Sequence, residues 1–186
     1  FDEARRQYHL GHAVLKLGRA YLGRLDLVGR ARPLMTRLSD ELGEACALTI
    51  RRADDVIVVW KIDDPDPHRP SLSMQLGQSG PVFASASGKA MLAAEGPAAV
   101  EAYLAGVDLG RRTAGATLDR ESLRTDLEQT LGSGIGFSRG EMFAQIIAVG
   151  VAVAGPTGAP VAGLSVSFSH DRLSDAHVAR VVAALR

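Results

Sequence analysis

Cysteine is almost missing from this chain: Cys46 is the only one among 186 residues, so no internal disulfide framework can hold the fold together. Long apolar runs are missing too. The longest, residues 146 to 154, is interrupted by Gly150 and falls well short of the roughly 20 residues a spanning helix requires, which excludes a membrane span. Nothing near the start reads as a charged segment followed by an apolar one, and with the lone cysteine this places the chain in the cytoplasm. Net charge is also absent, since 21 Lys and Arg balance 21 Asp and Glu. That balance argues against a chain whose whole surface neutralises nucleic-acid phosphates.

What is present is the makeup of an ordinary globular domain, with 46% hydrophobic and 23% charged residues. At this length roughly 70% of the unfolded surface can be buried, so one core forms without metals or cross-links. The charge is unevenly placed. Residues 1 to 38 carry eight basic side chains against three acids, a balance of +5 that leaves −5 behind. An Arg-rich solvated helix surface and a segment lying near DNA both fit that asymmetry.

Apolar positions Leu10, Val14, Leu17 and Tyr21 recur at helical spacing and predict an amphipathic helix from Glu3 to about Gly23. A second helix is expected from about Leu27 to Leu42, with Pro33 tolerable only near its first turn or at a kink, and Gly43 as its stop. The period then changes. Ala47 to Arg51 and Val56 to Ile62 are β-branched runs separated by Asp54-Asp55 and read as a hairpin, followed by a proline-rich loop over 63 to 70 and a strand from Leu72 to Leu76. Helices are expected over Ser85 to Ala94 and Pro97 to Leu104, and another after the N-cap Asp119, through Leu123, Leu127 and Leu131. Strands over Ile146 to Ala154 and Val161 to Phe168 flank the turn residues 155 to 160, and Ser174 caps a terminal helix. The order is that of an α+β fold on a largely antiparallel sheet, with no internal repeat.

Few residues suggest chemistry. Gly132, Gly134 and Gly136 follow a helix and precede a strand, the reverse of a dinucleotide loop, and read as a helix stop. Ser85 and Lys89 are four apart, whereas the Ser-x-x-Lys pattern would need a serine where Ala86 stands, and no Gly-x-Ser-x-Gly elbow occurs. The histidines, among them His9 and His12 on one helix face, lack metal-site spacing, so no metal and no cofactor is expected, and Cys46 reads as a buried apolar thiol. One stretch stands out. In Gly77 to Ala93 a loop of small residues feeds a helix whose first turn is rich in serine, which suits either a carboxylate held on free helix amides or a capped helix packed closely on a sheet.

The same stretch, with its core Ala84-Ser85-Ala86-Ser87-Gly88-Lys89-Ala90-Met91-Leu92-Ala93, resembles the most recognisable motif of the IclR family effector-binding domain. Tyr8-His9-Leu10-Gly11 with Leu17-Gly18 is similar to that family's linker helix. Thr113 to Thr117 resembles its Thr-x-x-Thr signal, and Gly134 to Phe137 with Glu141 and then Ala162 to Ser167 complete the match. The resemblance implies a GAF/profilin-like fold, a central antiparallel sheet flanked by helices, with residues 1–24 as a leading linker and dimerisation helix and 25–186 as the effector-binding domain. It implies no enzyme activity, a small-molecule effector (an organic or aromatic acid), a homodimer or tetramer, and contact with DNA only through an N-terminal winged helix absent from this chain. By position its pocket falls on Leu72, Gly80, Ala86, Ser87, Ser138, Ala148, Ser165 and Ser167. Ser165 and Ser167, two apart on one strand, point to one face. Two positions depart from the family's pattern, Ser138 where an acid is common and Gln145 where glycine is common, and imply a pocket wall altered in size and polarity. Two other classes compete: a GAF-like serine hydrolase using Ser85 or Ser87 with Lys89, and a structural dimerisation module with an empty apolar cavity.

Overall fold

Alternation along three central strands organises the molecule. In the computed structural model, which describes residues 6–8, 10–23, 26–66, 74–110, 113 and 118–186, strand β1 (Ala45–Arg52) pairs with β2 (Asp55–Ile62), and β4 (Ile135–Arg139), β5 (Ile146–Ala154) and β6 (Pro160–Ser169) complete the main sheet. A short β3 (Ser79–Pro81) closes one edge. The order is β3-β2-β1-β6-β5-β4, and every pairing is antiparallel. Period-2 geometry sends Cys46, Leu48 and Ile50, Ile147 and Val149, and Ala162, Val166 and Phe168 to one face. There they form the first core with Met35, Leu38 and Leu42 of α2 (Asp26–Leu42) and Val181 of α6 (Asp175–Leu185).

The opposite face is made of small residues. Ser138, Ala148, Ser167 and Ala45 are cross-strand neighbours in one row, and Gly136, Gly150, Ser165 and Ala47 in the next. This face receives α3 (Ala86–Ala94), backed by α4 (Pro97–Gly106) and α5 (Arg120–Ser133) around a second core that includes Leu92, Leu104, Leu123 and Leu127. Glycine lets α3 come close. A Cβ added to Gly136 would lie 2.1 Å from the Ala86 carbonyl oxygen, one on Gly150 2.5 Å from the Ser87 nitrogen, and one on Gly163 2.7 Å from the Ser87 Cβ. Gly136 therefore does more than follow a helix stop; it makes a backbone contact that no other residue permits. The stop itself is Gly134, in the left-handed region at φ 73°.

Most of the expected elements form. Ser85, Asp119 and Ser174 each cap a helix by accepting an amide hydrogen, from Gly88, Ser122 and His177 respectively. Two elements differ. Among the described residues the leading helix is only α1 (Ala13–Gly23), so Leu10 lies before it, and positions 3 to 5 fall outside the described residues. No strand runs over 74–76, which lead into a turn at Leu76-Gly77 closed by the Gln78 amide on the Gln75 carbonyl, while 71–73 fall outside the described residues. The edge strand is supplied instead by Ser79–Pro81, which pairs antiparallel with Asp55–Ile57 and is flanked by hydrogen bonds from the Val82 amide to the Asp54 carbonyl and from the Val58 amide to the Gln78 carbonyl. Pro33 lies well inside α2 without ending it, because the position is on the exposed side, where water can serve the Gly29 carbonyl that loses its amide partner. No described helix is long and apolar enough to cross a membrane.

The junction between α2 and β1 is tied by charge. Glu44 is fully buried, with Arg172 Nη1 2.9 Å and His177 Nε2 2.8 Å from its Oε1, and Arg180 donates to the Leu42 carbonyl at 2.6 Å. Burial, with Arg172 and Arg180 nearby, lowers the His177 pKa. Cys46 is buried as expected, and burial, with a further push from Glu44, raises its pKa to about 12.

Two outcomes follow. Gly150→Ala, which puts a methyl group against backbone, should destabilise the fold by about 2 kcal/mol or more in urea titration, whereas Gly132→Ala, on a helix with open space around it, should stabilise by about 0.5 kcal/mol. A thiol that stays protonated and covered should not react with a disulfide reagent at pH 8 in the folded protein, and should react freely once urea unfolds it.

Candidate functional site

A cavity of about 50 Å³ opens between the N-terminal end of α3 and the small-residue face of the sheet. Its floor is Ala47 and Thr49 of β1, Ala148 of β5, and Ser165 and Ser167 of β6. Ser138 of β4 stands beside them, Ala84 to Ser87 form one side, and Met74, Met142, Phe143 and Ile146 form the outer wall. Among the described residues no charged side chain lines it. The polar side chains among them carry six hydroxyls, on Thr49, Ser85, Ser87, Ser138, Ser165 and Ser167, all buried.

Three of these hydroxyls form a directed chain. Ser85 Oγ accepts the Gly88 amide hydrogen at 3.1 Å and lies 3.2 Å from Ser87 Oγ, which lies 2.8 Å from Thr49 Oγ1. Thr49 in turn donates to the Gly163 carbonyl at 3.2 Å. A carbonyl only accepts, so the single proton of Thr49 goes to Gly163, that of Ser87 to Thr49 and that of Ser85 to Ser87.

Lys89 takes no part in the cavity. Its side chain is fully buried and its ammonium donates to Asp126 Oδ2 at 2.5 Å and Glu141 Oε1 at 3.0 Å. A serine nucleophile needs a base within hydrogen-bond reach. Ser85 and Ser87 meet only hydroxyls and an amide, and the lysine that a hydrolase would require is held by two carboxylates and meets neither serine, so this reading loses its machinery. Among the described residues no three His, Cys, Asp or Glu converge on a metal site.

Six of the eight expected pocket residues, Ala86, Ser87, Ser138, Ala148, Ser165 and Ser167, line one cavity. Gly80 sits behind it: a Cβ there would come within 2.7 Å of Met142 Cε, and Met74 is close as well. Leu72 lies outside the described residues, as do His9, His68 and all of the Thr113 to Thr117 stretch except Thr113. Of the two departures from the family's pattern, Ser138 is in the wall and Gln145 is exposed and away from it. Sequence reasoning missed Thr49, Met74, Met142 and Phe143. Strand alternation through Ala45, Ala47 and Thr49 carried a signal for the first. The other three lie on irregular segments, where no periodicity assigns a direction.

Comparison with known proteins agrees with this architecture. The family model described as Bacterial transcriptional regulator IclR C-terminal matches residues 19–186. The chain is 28% identical over 176 residues to the HTH-type transcriptional regulator KipR of Bacillus subtilis (strain 168), covering 92% of this chain and 70% of that protein. It spans 58% and 63% of two other curated relatives it matches. The crystal structure of the Thermotoga maritima IclR superimposes with a TM-score of 0.83 at 22% identity, over 100% of this chain and 74% of the other. That of an IclR homolog from Microbacterium hydrocarbonoxydans, complexed with 4-hydroxybenzoate, does so with a TM-score of 0.75 at 22% identity, over 95% and 73%. At those identities the structural likeness is one of fold, including the antiparallel sheet flanked by helices. The proteins matched are transcriptional regulators rather than enzymes. With the family model running from residue 19 to residue 186, the chain belongs to the family of IclR C-terminal domains of bacterial transcriptional regulators.

Proposed function

We propose that this domain senses a small organic or aromatic acid in the cavity under α3 and passes its occupancy to a DNA-binding winged helix outside these 186 residues. The observation that carries the reading is a cavity whose described lining has six buried hydroxyls and no charged side chain, set at the start of a helix. Hydroxyls of Ser138, Ser165 and Ser167 on the strands donate to a carboxylate and orient it without a fixed countercharge. The complex of the Microbacterium hydrocarbonoxydans homolog with 4-hydroxybenzoate supports an aromatic acid as one candidate. Leu72 and Gly80 complete the pocket in this reading, and the protein works in the cytoplasm.

Residues 1–24 serve as the linker and dimerisation helix, and 25–186 as the effector-binding domain. Support comes from α1, which buries none of its residues in its own chain and leaves Val14 44%, Leu17 71% and Tyr21 46% exposed along one stripe. An isolated helix of 11 residues is marginal in water. Its apolar stripe therefore needs a cover, and α1 of a second copy supplies one in a homodimer, two of which pair in a tetramer.

A thermal-shift series with benzoate, 4-hydroxybenzoate and short aliphatic carboxylates tests the sensor. A ligand at 100 times its Kd should add about 2.7 kcal/mol of stability, and Ser165→Ala or Ser167→Ala should remove the shift. A flat response in a well-folded oligomer would favour the structural dimerisation module. For the helix, Leu17→Glu should shift the mass in sedimentation equilibrium toward the monomer and leave the melting of the 25–186 body unchanged; an unaltered mass would put the subunit contact elsewhere.

A further inference from the structure

The cavity is smaller than any metabolite it is proposed to hold. It measures about 50 Å³, whereas a cavity that admits benzene measures about 150 Å³ and ligand sites in general run to several hundred. Space has to come from a wall, and two of the walls, the floor and α3, are fixed. The floor is strand backbone, and α3 touches it through Gly136, Gly150 and Gly163 with no slack. What remains is the outer wall, where Met142 and Phe143 are only half-buried and lie on the irregular segment between β4 and β5. Met142 fills the space against Gly80.

This wall is held by its own turn, in which the Phe143 carbonyl accepts the Ile146 amide hydrogen at 2.9 Å, and by Glu141. Glu141, immediately before Met142, is buried and accepts from Lys89 Nζ through Oε1 and from the Arg139 amide through Oε2. Its carbonyl accepts from the Thr113 hydroxyl at 2.5 Å. Lys89 is itself anchored from the other side by Asp126 of α5, which also meets Arg139 at 3.3 Å. Gly140, before the tether, has φ 98°, a turn that side chains rarely adopt. The buried ammonium thus joins three bodies: α3, which carries the serines, α5, and the segment that forms the outer wall.

We infer that Lys89, through Glu141, is the positioning residue of the outer wall, and that this ion pair sets how far Met142 and Phe143 stand from Ser87 and so which ligand sizes enter. Asp126 shares the duty of neutralising Lys89 and meets the exposed side chain of Arg139 at the end of β4, but makes no bond to residues 140–143. The two carboxylates therefore separate positioning from charge pairing. The inference rests on the sensor reading, but its test uses no effector, so each fails on a separate measurement.

Glu141→Gln and Asp126→Asn, each isosteric and each removing one charge from Lys89, are compared by amide hydrogen exchange over 140–146 and by the rate of Met142 oxidation with dilute hydrogen peroxide, read by peptide mass spectrometry. Met35 and Met91, buried in the two cores, report global opening in the same samples. In Glu141→Gln the wall amides and Met142 should react about tenfold faster or more, with Met35 and Met91 unchanged. In Asp126→Asn any acceleration should be shared by all the methionines. Equal local effects in both variants, or none in Glu141→Gln, would overturn the positioning role and leave Lys89 as a charge-paired core residue. Glu141→Asp, which keeps the charge and shortens the reach by one methylene, gives the same contrast if the amide variant does not fold.

Discussion

Helix α3 meets the sheet backbone to backbone, and the arrangement of the other parts depends on that contact. A helix on a sheet ordinarily stands about 10 Å from it, on a layer of side chains. Here Gly136, Gly150 and Gly163, on three neighbouring strands, remove that layer beneath Ala86 and Ser87. The helix start drops to the level of the strand side chains, so the hydroxyls of Ser87 and Thr49 can touch at 2.8 Å. It also turns α3 toward α5 and β4, where Lys89 finds its two carboxylates. A larger residue at any of the three glycine positions would raise the helix and separate all of these groups together.

The second constraint is the division of labour between the two faces of the sheet. Along β6, Ala162, Val166 and Phe168 serve the hydrocarbon core, while Gly163, Ser165 and Ser167 serve the other side. Burial of each large core side chain contributes roughly 1.5–3 kcal/mol, and α2 and α6 complete that layer. The small-residue face contributes little of this kind, and its incomplete filling leaves the cavity. Stability is thus drawn from one face, and the other is free to be polar and hollow. The floor strands β1, β5 and β6 are stiff because each is paired on both sides, so the give required for a ligand falls on the segment between β4 and β5.

Periodicity made much of this legible beforehand. The β1–β2 and β5–β6 hairpins, the capped helices and the paired serines of β6 follow from two-residue and 3.6-residue spacing and from Ser, Asp and Gly at element ends. The failures have physical causes. The segment over 74–76 carries an alternating pattern, yet β2 takes its edge partner from Ser79–Pro81, which is too short to show any period. Gly136 looked like punctuation because what requires glycine there is a helix 50 residues away in sequence. Lys89 looked like an accessory to Ser85, since spacing says nothing about which carboxylates tertiary packing brings to a buried ammonium.

The chain of hydroxyls from Ser85 to the Gly163 carbonyl gives the cavity a polarity of its own. Each proton in that chain is already committed, so the Ser87 oxygen offers a visiting molecule only a lone pair. The protons still free to turn inward belong to Ser138, Ser165 and Ser167, on the strands. One end of the space accepts and the other donates. A molecule with a hydroxyl at one end and a carboxylate at the other can satisfy both, but in a single orientation; turned end for end, it would leave its carboxylate facing a lone pair.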